Sequence, residues 1–178
     1  TLRNQRIGFI FRDPALLPRV SALKNVALPL LYAGFSEAEQ KRRAQKALQF
    51  VSLRSRLHAT PEQLSPGQQQ RVAIARALVN SPSLFCADDP TGNMDTRSAR
   101  EIMAVLQALN RRKLTIVMAT QNAELAMYAK RHIILREGHI VSDTRVSDMR
   151  IALDDLPQTA ALAPVAEDKG TSVQVREE

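Results

Sequence analysis

A single cysteine, Cys86, excludes an intrachain disulfide in this chain of 178 residues and leaves no thiol cluster for zinc. Tryptophan is absent, and the five phenylalanines and two tyrosines are scattered. The aromatic and basic interleaving of single-strand nucleic-acid binders is therefore missing. No apolar run approaches the roughly 20 residues of a membrane-spanning helix, and the start of the chain lacks the basic-then-apolar pattern of a secretory signal. These absences point to a soluble domain with a cytoplasmic location. With 44% apolar residues and a length suited to about one domain, the chain has enough material for a core.

Charge is unevenly placed. Residues 1–144 hold 21 Lys and Arg against 11 Asp and Glu, whereas residues 145–178 hold 4 against 7. A basic body rewards nucleic acid, anionic headgroups or nucleotide phosphates alike, and charge alone does not choose among them.

The most structured stretch runs from Leu64 to Leu78. Ser65 reads as an N-cap, Pro66 as the first helical residue and Gln68 as the third, so Ser-x-x-Gln forms a capping box. Val72, Ala75 and Leu78 fall on one apolar face, with Gln70 and Arg71 directed outward.

Around it, Ile7–Phe11 reads as a buried strand broken by Arg12-Asp13-Pro14. Ser21 caps a short apolar helix, Ala22 to about Leu31, interrupted by Pro29. Ser36-Glu37-Ala38-Glu39 is a second capping box opening a basic helix with Lys41, Arg42, Arg43 and Lys46. Leu84–Ala87 is an apolar strand ending in Asp88 and Asp89, and acidic strand ends are where parallel α/β sheets place their chemistry. Taken in isolation, two aspartates before Pro90 more often form a cap or turn. Arg97–Lys113 is an amphipathic helix, Leu114–Ala119 a strand, and Glu124–Lys130 a short helix. His132–Val141 reads as a hairpin turning on Gly138. His58 has no second ligand at metal spacing nearby and reads as a surface residue, while His132 and His139 lie on or beside the hairpin strands and read as structural or surface residues. The alternation predicts an α/β fold with a mostly parallel sheet flanked by helices. From about Thr144 periodicity fades, which predicts a mostly disordered acidic, Ala- and Pro-containing tail over 144–178 with one helical turn near Asp148–Leu153.

The stretch Leu64–Leu78 resembles the signature LSGGQ and following QRVAIARAL of ABC-transporter ATPases, with Pro66 in place of the first Gly. Leu84–Asp95 is similar to their Walker B and D-loop, Phe11-Arg12 to the Q-loop, and Thr120-Gln121-Asn122 to the H-loop. Thr-Gly-Asn after Walker B is most similar to the subgroup of lipoprotein-releasing, macrolide-export and cell-division transporters. The resemblance implies a partial P-loop NTPase fold: residues 1–143 as the C-terminal portion of an ABC ATPase domain, with a helical signature subdomain at about 13–80. The N-terminal β-rich part would be missing, because no G-x-x-x-x-G-K-S/T loop occurs in the chain. A fragment of a longer protein and a truncated gene product both suit this reading.

The resemblance further implies ATP and magnesium as cofactors, with Asp88 orienting the metal through water. Asp89 stands where the family has its catalytic Glu, Gln121 where it has the H-loop His, Arg12 where it has the Q-loop Gln, and Asp95 at the D-loop Asp. Ser65, Gly67 and Gln68 would face the γ-phosphate of an ATP held by a second nucleotide-binding domain, since a helix N-terminus presents free amides. Partners implied are that second domain, identical or not, and a transmembrane permease, with the chain peripheral on the inner face of the cell membrane. All four departures, at Arg12, Pro66, Asp89 and Gln121, fall on site positions while the apolar scaffold is intact. The expectation is an ATP-binding subunit with weak or no ATPase activity. Two alternatives stand: a working ATPase whose phosphate loop lies upstream, and a basic nucleic-acid-binding ABC-type module.

Overall fold

The computed structural model describes residues 6–156. Strand β1 (Ile7–Ile10) leads through the 11–21 loop into α1 (Ala22–Tyr32), α2 (Glu37–Phe50) and α3 (Pro66–Leu78). Strand β2 (Leu84–Asp88), α4 (Thr96–Arg111), β3 (Thr115–Ala119) and the single turn α5 (Ala123–Ala126) follow, and β4 (Arg131–Arg136) with β5 (His139–Arg145) closes the described part. Strands β1, β2 and β3 form one parallel sheet in that order, and β4 and β5 pair antiparallel in a separate ribbon.

Each major helix begins as its caps dictate. Ser21, Ser36 and Ser65 accept from the amide three residues on, and Ser65 and Gln68 form the reciprocal capping box. Pro29 does not end α1, which runs on to Tyr32. Asp95, rather than a residue near Arg97, caps α4 and starts it at Thr96. The predicted Glu124–Lys130 helix is shorter than its sequence pattern, because Asn122 caps a single turn.

Residues alternate across each strand, so the sheet has two faces. On one, Ile10, Phe85 and Ala87 are buried and join Val26, Leu30, Leu48, Ile74 and Ile102 in one core. The opposite face carries Phe9 and Val117, which are 38% and 58% exposed, with Phe11 just beyond β1 at 46%. Cys86 lies between Phe9 and Val117 in register, half-buried rather than packed into the core. Parallel sheets are ordinarily covered on both faces, so this one carries an apolar surface that calls for a cover.

Two parts of the sequence reading change. The hairpin turns on Glu137-Gly138, both at positive φ as a tight two-residue turn requires, and its second strand continues to Arg145. Order also continues past residue 144, where the fading periodicity predicted a disordered tail. The buried Gln107 on α4 donates to Arg150 O and accepts from Ala152 N, and the Tyr128 hydroxyl donates to Asp155. Hydrogen bonds to Gln107 and Tyr128, together with burial of Ala152 in the core, hold this segment without apolar periodicity. The rest of the predicted tail, 157–178, lies outside the described residues.

Candidate functional site

Strand ends build the first half of the site. Asp88 and Asp89 leave the C-terminal end of β2 between the ends of β1 and β3, the edge where parallel sheets gather ligands. Asp88 is exposed and takes no ion-pair partner among the described residues. Asp89 adopts a left-handed backbone, φ 42°, with its amide donating to Ala119 O at 2.8 Å and its carbonyl accepting from Gly92 N at 3.1 Å. Its carboxylate meets Arg12: Nε lies 3.3 Å from Asp89 Oδ2, and the same guanidinium donates to Gly92 O at 3.1 Å. On the other side, Thr120 Oγ1 donates to Asp89 Oδ1 at 3.5 Å. Gly92 leaves room for this pairing, since a Cβ there would collide with both Asp89 Oδ2 and Arg12 Nε. Gln121 follows Thr120 and is exposed.

Arg12 is held because its segment is held. Gln70 on α3, fully buried, donates to Phe11 O at 2.9 Å, and Arg76 donates to Pro14 O and Ala15 O at 2.7 and 2.8 Å. Farther along the loop, the buried Asn25 donates to the carbonyls of Leu17, Val20 and Ser21 and accepts from the Leu17 amide. The outward placement of Gln70 and Arg71 is corrected here. Arg71 is also mostly covered, 3.6 Å from Glu101, and burial pulls its pKa down. The reason is that α3 packs against α1, α2, β1 and α4 together, leaving little of its circumference for solvent.

Helix starts build the second half. Ser65 Oγ takes the Gln68 amide and Pro66 has none, so Gly67 is the remaining donor of the first turn of α3. Gly67 is buried against α4, where an added Cβ would sit 3.3 Å from Ser98 Cβ. Ser98 belongs to the cap of that helix: its amide and hydroxyl both donate to Asp95, at 2.9 and 2.7 Å. Thus Gly67 and the Asp95 cap share one junction. Among the described residues no hydrogen bond or ion pair joins Ser65, Gly67, Gln68 or Asp95 to Arg12, Asp88, Asp89 or Gln121. Sequence reasoning missed Gly92, Thr120 and Gln70. Gln70 carried a signal, a polar residue flanking an apolar face; Thr120 carried none beyond its neighbour.

The hydrogen bonds from Ser98, side chain first and then backbone, hold the Asp95 carboxyl below its ordinary 3.8. A depressed folded pKa contributes stability above the unfolded value and loses it as pH falls through the folded one. Asp95→Ala should therefore cost about 1 kcal/mol, the usual worth of a cap, at neutral pH. In urea unfolding the difference from the parent should shrink below pH ~4, where the unfolded carboxylate also takes its proton.

Residues 1–92 match the family model described as ABC transporter. The chain is 48% identical over 139 residues to an uncharacterized ABC transporter ATP-binding protein of Thermotoga maritima, covering 78% of this chain and 59% of that protein. It is 43% identical over 159 residues to the macrolide export ATP-binding/permease protein MacB of Sodalis glossinidius, covering 89% of this chain and 24% of that one. Among solved structures it resembles a dimeric ATP-binding cassette in a post-hydrolysis state bound to ADP and Pi, at TM-score 0.71 and 37% identity over 82% of this chain and 65% of that one. A second likeness is to cbiO1 of Clostridium perfringens, part of a transporter complex, at TM-score 0.75 and 28% identity over 81% and 58%. The chain spans about three fifths of the length of relatives such as the Thermotoga protein and about a quarter of MacB.

ATP and magnesium are the ligands of this family. The first turn of α3 fits an anion, with an amide at a positive helix end. The carboxylate pair does not fit a divalent cation, because Asp89 already holds a guanidinium and Asp88 is left as a single exposed carboxylate. The α/β core, the signature helix and the family match agree: this chain belongs to the ABC transporter ATP-binding domains.

Proposed function

We propose that the chain is the ATP-binding subunit, or the larger part of one, of a transporter in the lipoprotein-release, macrolide-export and cell-division subgroup, with impaired or absent hydrolysis at its own site. It docks to a membrane permease on the inner face of the membrane and pairs with a second nucleotide-binding domain. The observation that carries the impairment is the Arg12–Asp89 ion pair, formed between two site positions on an intact scaffold. The likeness to MacB over 89% of the chain supports the subgroup. No helix among the described residues is long and apolar enough to cross a membrane.

The parts divide by what each can do. Ser65 and Gly67, at the start of α3, bind the terminal phosphate of a nucleotide presented by the partner domain, and Asp95 fixes the adjoining helix start. The chain contains no phosphate loop of its own, and the bare apolar face bearing Phe9, Cys86 and Val117 supports a cassette segment lying over it. That segment is the remainder of the cassette that the relatives possess.

The reading of a working ATPase with its loop upstream is separated by calorimetric titration with ATP, on this chain and on the gene product extended upstream of Thr1. This chain alone should show no saturable ATP binding at millimolar nucleotide. Tight binding by the chain alone would refute the half-site reading. Steep salt-dependent DNA binding would instead favour the nucleic-acid module.

A further inference from the structure

We propose that Arg12 is the resident cation of this site, and that it shuts divalent metal out of the Asp88–Asp89 corner. An exposed ion pair is ordinarily a weak and mobile contact. Three features set this one apart. The Asp89 backbone is fixed by its left-handed turn and by bonds to Ala119 and Gly92, and its carboxylate accepts from the Thr120 hydroxyl on Oδ1 while Arg12 holds Oδ2. Gly92 has no Cβ where one would displace the guanidinium, and its carbonyl accepts from that guanidinium. The segment carrying Arg12 is tied to α3 on both sides, through Gln70 at Phe11 and through Arg76 at Pro14 and Ala15.

Charge and donor geometry both follow. A guanidinium is always protonated and presents several donors in a rigid plane, so it stays on the carboxylate as a permanent positive charge. A hard divalent ion needs anionic oxygens at short range and meets instead a like charge in contact with one of its two candidate carboxylates. Asp88 alone is a single exposed ligand. Asp89 is thus neutralised from within, which leaves the corner with the single negative charge of Asp88.

The inference rests on the proposed function only for the meaning of the site; its test uses metal alone. Mn2+ titrated into the 178-residue chain and followed by electron paramagnetic resonance should show no saturable binding at millimolar ion. Arg12→Gln should tighten Mn2+ binding by about tenfold or more, as expected for removing a contacting like charge. Adding Asp89→Asn to that variant should abolish the gain. Arg12→Lys, which keeps the charge and the fold, should exclude Mn2+ as the parent does. Equal Mn2+ affinity in the parent and Arg12→Gln would overturn the proposal, as would a gain in Arg12→Gln that survives Asp89→Asn. Tight ATP binding by this chain alone together with the predicted Mn2+ pattern would count against the half-site reading and leave the assignment of Arg12 standing.

Discussion

Converting Asp89 to glutamate, Arg12 to glutamine and Gln121 to histidine, in the gene product extended upstream of Thr1, is expected to raise ATP turnover by a hundredfold or more. Aspartate is one methylene shorter than glutamate, so a water aimed at the terminal phosphate sits farther from its base, and misplacement by about 1 Å can cost on the order of a hundredfold. A positioned general base contributes about a hundredfold to ten-thousandfold. In this chain the shortfall is compounded, because the carboxylate of Asp89 faces a guanidinium rather than an open approach. Gln121 can donate and accept hydrogen bonds but cannot carry charge as imidazole does. Asp89→Glu alone should give a smaller gain than the triple change, since Arg12 would still hold the carboxylate. Steady-state phosphate release from the parent, single and triple variants checks this, and a triple variant no faster than the parent would refute it.

Phe85→Ala is expected to destabilise the domain by about 3–5 kcal/mol, against a total of about 5–15 kcal/mol for a typical domain. Phe85 is fully buried on the central strand, in register with Gly8 on one side and Ile116 on the other. Among the described residues the core lies on one face of this sheet, and removing the ring leaves a cavity inside it. The same strand supplies its own control. Cys86, the next residue, points to the uncovered face, and Cys86→Ser should change stability by less than about 0.5 kcal/mol. Urea unfolding should show a lower midpoint for Phe85→Ala at unchanged slope. Equal losses at both positions would contradict the one-sided core.

Local signals were well written in the sequence. Ser21, Ser36 and Ser65 each start a helix, because capping is a contact between residues three apart and needs no tertiary information. The parallel sheet followed from the alternation of apolar strands and helices. What the sequence could not carry was anything decided by three-dimensional crowding. Gln70 and Arg71 looked solvent-facing because a helical wheel assigns one buried side, whereas α3 is packed from several directions at once. Arg150–Asp155 looked like a tail because its order rests on Gln107 and Tyr128, polar partners with no periodic trace.

The site shows the same division. Asp88, Asp89 and Gln121 were placed by short motifs, and all three lie at the C-terminal ends of adjacent strands. That Arg12 touches Asp89 was not legible, since 77 positions separate them and only the register of β1 against β2 brings them together. A substitution read singly as a change of ligand is, in the folded chain, one half of a charge pair.

In the proposed reading this chain keeps the cassette scaffold without a complete catalytic site of its own. The most direct test of that reading is ATP hydrolysis by the purified 178-residue chain at saturating nucleotide. No phosphate release above the buffer rate is expected. Turnover at the rates ordinary for ABC ATPases would contradict it.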